Sequence, residues 1–394
     1  MASTTPTMNV ADGVPAKDVK KPSERLMSLD LFRGATIAAM ILVNNPGDGY
    51  TSYMQLRHSE WNGWTFTDLV FPFFLFIVGV ALAFSFRSRM QRGETRGKLV
   101  AHILWRGFLL FALGMFLNGF PNHYQLGSWR VYGVLQRIAI CYVISAFLEL
   151  WVGWKTQAAV IAVCLAGYWI LMRYIPVPGF GVPGRDIPLL DPDRNLVAWL
   201  DRKLLLGHLY EGTRDPEGLL SNIPAIATCL LGLLTGKWLR SARISGTKLA
   251  GMAVVGIAAF ASGELLNTWF PINKKLWTSS YVLLTAGLAI LVLAFCYWVL
   301  DVKRWRGRWT MPFLVFGMNS IAAYALSELA PGILDRFTLH SGHGRVLLRE
   351  FIYQHWIVPY ASPANASLLY ALAYVFACWL VMLVLYRKRI FLKI

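Results

Sequence analysis

His58 opens the stretch His-Ser-Glu-Trp-Asn-Gly-Trp, fourteen residues after Asn44 and ten before Asp68. A histidine takes and returns a proton near neutral pH, which suits a general base. A side-chain amide such as Asn44 or Asn45 can donate a hydrogen bond to a developing oxyanion. Asp68 can orient the imidazole or hold an ammonium. Those parts suffice for an acyl transfer, although an ordinary surface histidine has the same composition around it. Further polar groups interrupt otherwise apolar runs: Asp30, Arg33, Arg106, Asn118, Gln136, Arg137, Glu264, Asn267, Asn319, Ser320 and Glu328. Ionisable groups at membrane depth cost several kcal/mol unless they are paired or used. Asp30 and Arg33, three apart, share a helix face and suit a structural pair. Arg137 either neutralises Asp68 or Glu264 or binds an anionic ligand. His340 and His343 form an H-x-x-H within a Gly-rich segment, which reads as a flexible loop, and no metal site is expected.

These residues sit in a chain of 394 residues that is 56% hydrophobic and 15% charged, with mean hydropathy +0.48. Soluble domains carry about a quarter charged residues, so the expected fold class is an all-α polytopic membrane protein. About ten apolar runs are long enough to cross a bilayer: 29–45, 67–86, 99–119, 131–150, 157–174, 219–238, 248–270, 277–300, 309–329 and 365–386. Lys and Arg cluster after the second, sixth, eighth and last of them, as in Arg87, Arg89, Arg92, Arg96 and Lys98. Cytoplasmic loops carry such an excess, so both termini are expected in the cytoplasm and His58 on the opposite face. The net charge of +17 is assigned to this bias and to anionic lipid, not to nucleic acid. Residues 1–27 read as a disordered cytoplasmic tail and 28–394 as one transmembrane domain. Loops 175–218 and 330–364 are then extracytoplasmic, the first with a short amphipathic helix near 195–207. The five cysteines lie in apolar runs and read as small hydrophobes without disulfides.

Six motifs follow one another: SLDLFRG, HSEWNGWTFTDLVFPFFLFIVG, GVLQRIA, DPEGLLSNIPAI, NKKLWTSSYVL and FGMNSI. Together they resemble the heparan-α-glucosaminide N-acetyltransferase family and its bacterial relatives of the NagX type, from Ser28 to the last span. The resemblance implies a transmembrane acetyltransferase that moves acetyl from cytosolic acetyl-CoA to the amino group of a glucosamine-type sugar across the membrane. It places the catalytic histidine just before Trp-Asn-Gly, here His58, and an asparagine at the end of the first span, here Asn44. The stretch between those two is longer here than in the family. Glu60, Trp61, Asn62, Lys274 and Trp277 would meet the acceptor. Gln136, Arg137, Asn319 and Ser320, with Arg304, Trp305 and Arg306 for the nucleotide, would hold the donor. The bland account of RWRGRW is charge bias plus interfacial tryptophan. A bacterial inner membrane with His58 in the periplasm is the expected location, and a homodimer is open. The competing class is a transporter for amino sugars or cell-wall fragments, with Arg137, Glu264 and Asn319 along its path.

Overall fold

A computed structural model describes residues 26–120, 124–341 and 344–392. Residues 1–25 of the expected tail and His343 lie outside the described residues, while Leu26 caps α1 and Met27 begins it. The helices are α1 (Met27–Asn44), α2 (Phe66–Gln91), α3 (Arg96–Gly119), α4 (Val134–Trp151), α5 (Trp154–Tyr174), α6 (Leu196–Leu205) and α7 (Asn222–Arg240). They continue with α8 (Ser245–Leu266), α9 (Ser279–Tyr297), α10 (Met311–Met318), α11 (Ser320–Leu334), α12 (Leu348–Trp356) and α13 (Pro363–Arg387). A two-stranded antiparallel hairpin, β1 (Thr338–Ser341) with β2 (Gly344–Leu347), precedes α12.

Among the described residues, nine helices are long and apolar enough to cross a membrane, and α10 with α11, bent by 76°, makes a tenth crossing if the pair is one broken span. This is the expected all-α polytopic class. The break falls at Asn319, whose φ of −127° and ψ of 40° leave the helical region. Its amide donates to the Ile390 carbonyl at 3.0 Å and accepts from the Leu392 backbone at 3.0 Å. A side chain that pairs with another segment's backbone at a gap in the helical ladder produces a sharp kink. If the bent pair is one span, ten crossings would bring the chain back to the end at which α1 begins. Counted along the spans, the basic loops after α2, α7 and α9 follow even-numbered crossings, whereas His58 follows the first.

Four helices, α1, α2, α7 and α9, are the most buried, while α3, α5, α8 and α13 expose apolar side chains around them. In lipid, that outer layer meets hydrocarbon and helix pairs are held by close packing. The α2–α7 pair shows how. A Cβ on Gly79 would stand 1.9 Å from the Cys229 carbonyl oxygen, and one on Gly232 would stand 2.0 Å from that of Phe76. Each helix thus presses backbone to backbone on the other, and α2 is held rigidly below the His58 mouth.

The amphipathic helix expected near 195–207 is α6, capped where the Asn195 side chain accepts from the Ala198 N–H at 2.9 Å. It belongs to the long connection between α5 and α7, at the His58 end.

Candidate active site

The site begins with how α2 starts. Thr65 caps the helix, and Asp68 in its first turn closes a capping box, which satisfies N–H groups left open by the helix end. Asp68 Oδ2 accepts from Ser59 N at 3.0 Å, Thr65 N at 3.0 Å and Thr65 Oγ1 at 3.1 Å. One turn further, Pro72 has no N–H to give the Asp68 carbonyl. The buried Tyr281 hydroxyl of α9 donates to that carbonyl instead. The Asp68 carboxyl is therefore fixed from both sides of its backbone, with its side chain only 1% exposed.

Its second oxygen, Oδ1, lies 2.7 Å from His58 Nδ1. A carboxylate only accepts, so Nδ1 carries the proton and Nε2 keeps its lone pair. The ring is 46% exposed, which leaves Nε2 accessible. The third member is Lys274, between α8 and α9. Its Nζ lies 3.0 Å from His58 Nδ1, 3.1 Å from Nε2 and 3.8 Å from Asp68 Oδ1. Nearly equidistant from the two ring nitrogens, Lys274 Nζ sits over the face of the imidazole and leaves the in-plane Nε2 lone pair open. Burial draws the Lys274 ammonium below the ordinary lysine range, although Asp68 and Glu217 oppose the shift.

A second layer of charge stands behind this trio. Arg137, wholly buried at the first turn of α4, donates to Ser221 Oγ and to Gly218 O at 3.5 Å. Its guanidinium lies 4.8 Å from the Trp277 ring centroid. Its Nε and Nη1, and both amide atoms of Gln136, have no hydrogen-bond partner among the described residues. Arg130 bonds Asp215 at 2.6 and 2.8 Å and also bonds Glu217. Burial opposes the Glu217 charge, but Arg130, Arg137 and Lys274 hold its carboxyl below the ordinary glutamate value.

The other sequence candidates scatter. Asn44, exposed at the end of α1, lies beside the Glu328 carboxyl of α11. Glu60 is exposed at the mouth. Asn62 accepts from Asn273 Nδ2 at 3.2 Å, which ties the mouth loop to the Lys274 loop. Trp61 donates to Leu190 O at 2.7 Å under the Arg214 guanidinium, so it anchors the α5–α7 connection. Trp277 is 1% exposed and donates to Thr228; its ring backs Arg137 instead of presenting a face to solvent. Glu264 accepts from Trp64 Nε1 at 3.2 Å, away from Arg137's partners.

A cavity of about 360 Å³ enters the bundle from the opposite end. Arg33, Arg89, His102 and Arg106 line it, with Ser320 and Leu392, and apolar residues from Phe74 on α2 to Leu135 and Ile138 on α4 continue it inward. On α2 alone the lining runs from Phe74 to Arg89, about 22 Å at 1.5 Å per residue. Phe74 is about 9 Å along the same axis from Asp68. Arg304, Trp305 and Arg306 do not line this cavity. Arg306 bonds Leu300 O at 3.0 Å, and Trp305 packs on Trp298 with centroids 5.6 Å apart. Arg89, His102, Arg130 and Glu217 were not among the candidate site residues. Arg89 and His102 lie near span ends, where a basic residue passes for charge bias, while Arg130 and Glu217 stand in loops before spans. The acids of DPEG were the available signal for Glu217. Among the described residues no group of three His, Cys, Asp or Glu is placed to hold a metal ion.

Comparison with known proteins places this arrangement. The family profile described as heparan-alpha-glucosaminide N-acetyltransferase, catalytic, matches residues 25–270, a span that includes His58, Asp68, Arg137 and Glu217. Heparan-alpha-glucosaminide N-acetyltransferase of Homo sapiens is 32% identical over 94% of this chain and 60% of its own length. The protein of the same name from Mus musculus is 32% identical over 95% of this chain and 61% of its own. The chain thus spans about three fifths of the length of these relatives. By the profile match and by both relatives, it belongs to the heparan-alpha-glucosaminide N-acetyltransferase family.

Proposed function

We propose that the protein is a transmembrane acetyltransferase that takes acetyl from acetyl-CoA at the end with the basic loops and delivers it to an amino-sugar amine at His58. One observation carries this: a cleft with a cationic mouth runs through most of the bundle toward Asp68, while His58 stands at the other end with Nε2 free of any carboxylate. Phosphates suit Arg33, Arg89 and Arg106 at the mouth, and the narrow apolar run suits the thin pantetheine arm. Ser320 lines the same cleft. Gln136 and Arg137 do not line the cleft, but they follow its lining residue Leu135 on α4. Their polar atoms without a partner among the described residues support a role for them at the thioester end. Asn319 supports the helix break beside the cleft. The Arg304–Arg306 loop then serves the interfacial charge of this end.

At the far end, Asp68 holds the His58 tautomer, so Nε2 accepts either the proton of the attacking amine or the acetyl group itself. Glu60 and Asn62 meet the acceptor, a glucosamine-type sugar by analogy with the names of the relatives. The family resemblance alone supports Asn44, whose side chain bonds Glu328, as the oxyanion donor. Charge bias puts the basic end in the cytoplasm. In a bacterial inner membrane, His58 would then face the periplasm.

Sealed proteoliposomes test the sidedness. With acetyl-CoA on the basic-loop side and glucosamine on the other, N-acetylglucosamine accumulates on the glucosamine side. Product that requires both substrates on one face, or glucosamine that crosses unmodified, would replace this account with a one-sided enzyme or a transporter.

A further inference from the structure

Proton accounting at the acceptor end exposes a requirement that His58 alone does not meet. A sugar amine is largely an ammonium near neutral pH. To become an amide nitrogen it loses two protons. The first must leave before attack, because an ammonium has no lone pair. The second leaves the nitrogen once the N–C bond has formed. Asp68 is engaged by four donors, and its neutralisation would release the His58 tautomer. His58 has a single free lone pair, at Nε2.

Resting on the transferase reading, we propose that Lys274, as a neutral amine, takes the first proton from the acceptor ammonium, so that His58 Nε2 remains for the acetyl transfer and the second proton. The geometry supports it. Lys274 Nζ is within 3.1 Å of both ring nitrogens and is 18% exposed, so it reaches the space in front of Nε2 where the acceptor must stand. Five groups surround it: His58 from the mouth loop, Asp68 from α2, Glu217 from the connection before α7, Arg137 from α4 and its neighbour Lys275. Two carboxylates and two cations offset one another, and burial favours the neutral amine, in line with its lowered proton affinity.

The step balances. The sugar ammonium gives one proton to Lys274, which becomes an ammonium. The free amine attacks the acetyl carbon, the N–C bond forms, and the bond to sulfur or to Nε2 breaks. Nε2 takes the second proton, which ends on the CoA thiolate. Lys274 releases its own to the outer solvent. That is direct transfer. In an acetyl-histidine relay the CoA thiolate leaves in the first half-reaction and takes its proton from solvent at its own end. The second amine proton passes to Nε2 as the Nε2–acetyl bond breaks and is then released to the outer solvent.

The test compares Lys274→Arg and Lys274→Ala with wild type, scoring N-acetylglucosamine from glucosamine against pH. Trimethylamine, a base that cannot itself be acetylated, is added back. Arginine keeps the charge and does not give up its proton. Both variants should fall about 100-fold or more in kcat/KM at pH 7. Trimethylamine should restore Lys274→Ala at least about tenfold, in proportion to its free-base concentration. Retained activity in Lys274→Arg would make the residue a fixed cation. Equal losses with no rescue and a lowered unfolding temperature would make it structural. Either outcome overturns the proposal, whereas a wild type that makes no acetylated sugar removes the transferase reading beneath it.

Discussion

Replacing Asp68 by Asn separates orientation from architecture at this site. Asp68 Oδ2 serves three donors within the helix cap, and an amide oxygen in that position can serve the same three. What changes is the 2.7 Å contact with His58 Nδ1. An amide nitrogen there donates, so Nδ1 must accept and the ring proton moves to Nε2. The lone pair that faces the acceptor is lost, and Lys274 loses the counter-charge 3.8 Å away. Loss of one charge-assisted bond costs about 1.5–3 kcal/mol of stability. The catalytic loss is larger, since a wrong tautomer in a carboxylate–histidine pair lowers turnover by about 10⁴-fold. Purified Asp68→Asn should therefore melt as one cooperative species, bind acetyl-CoA as the wild type does, and form N-acetylglucosamine at or below about a thousandth of the wild-type rate. A folded variant within tenfold of wild type would refute the assignment of the tautomer to Asp68.

Three further outcomes follow from other parts of the molecule. Arg106→Met at the cavity mouth should raise the KM for acetyl-CoA by about 10–100-fold, the equivalent of one charge-assisted bond, and leave the KM for glucosamine unchanged in steady-state assays. Gly79→Ala forces a methyl group to within 1.9 Å of the Cys229 carbonyl, so α2 and α7 must part and detergent thermal unfolding should show a loss of about 1–3 kcal/mol. Burial raises the Asp201 carboxyl in α6 to about 6. Because its folded value exceeds its unfolded one, the ionised form costs stability above pH 6, and that cost disappears as pH falls below the unfolded value of about 4. Asp201→Asn, which keeps the acceptor for the Leu219 N–H, should gain about 3 kcal/mol at pH 8 and nothing at pH 4, as read from melting temperatures across that range.

The crossings were legible because apolar runs of about twenty residues have few alternatives in a chain of this composition. The 76° break at Asn319 was not, since it depends on backbone partners at Ile390 and Leu392, some seventy residues away. His58 and Asp68 could be paired from sequence because both flank one helix start. Lys274 joined them as a candidate through its motif, but its contact with the imidazole spans 216 residues. The cationic lining of the cavity was not legible for a physical reason. RWRGRW concentrates its charge in six consecutive residues, while Arg33, Arg89, His102 and Arg106 come from three helices and converge only when α1, α2 and α3 pack. Trp277 likewise looked like a binding surface beside Lys274, yet the turn at its positive φ of 54° sends the ring inward against Arg137.

The central claim, that acetyl passes from CoA to an amine at His58, is tested most directly with purified protein, labelled acetyl-CoA and glucosamine, comparing wild type with His58→Ala. The account predicts labelled N-acetylglucosamine from the wild type and none above background from a folded His58→Ala. Equal product from both, or no release of acetyl from CoA by a wild type that binds it, would contradict it.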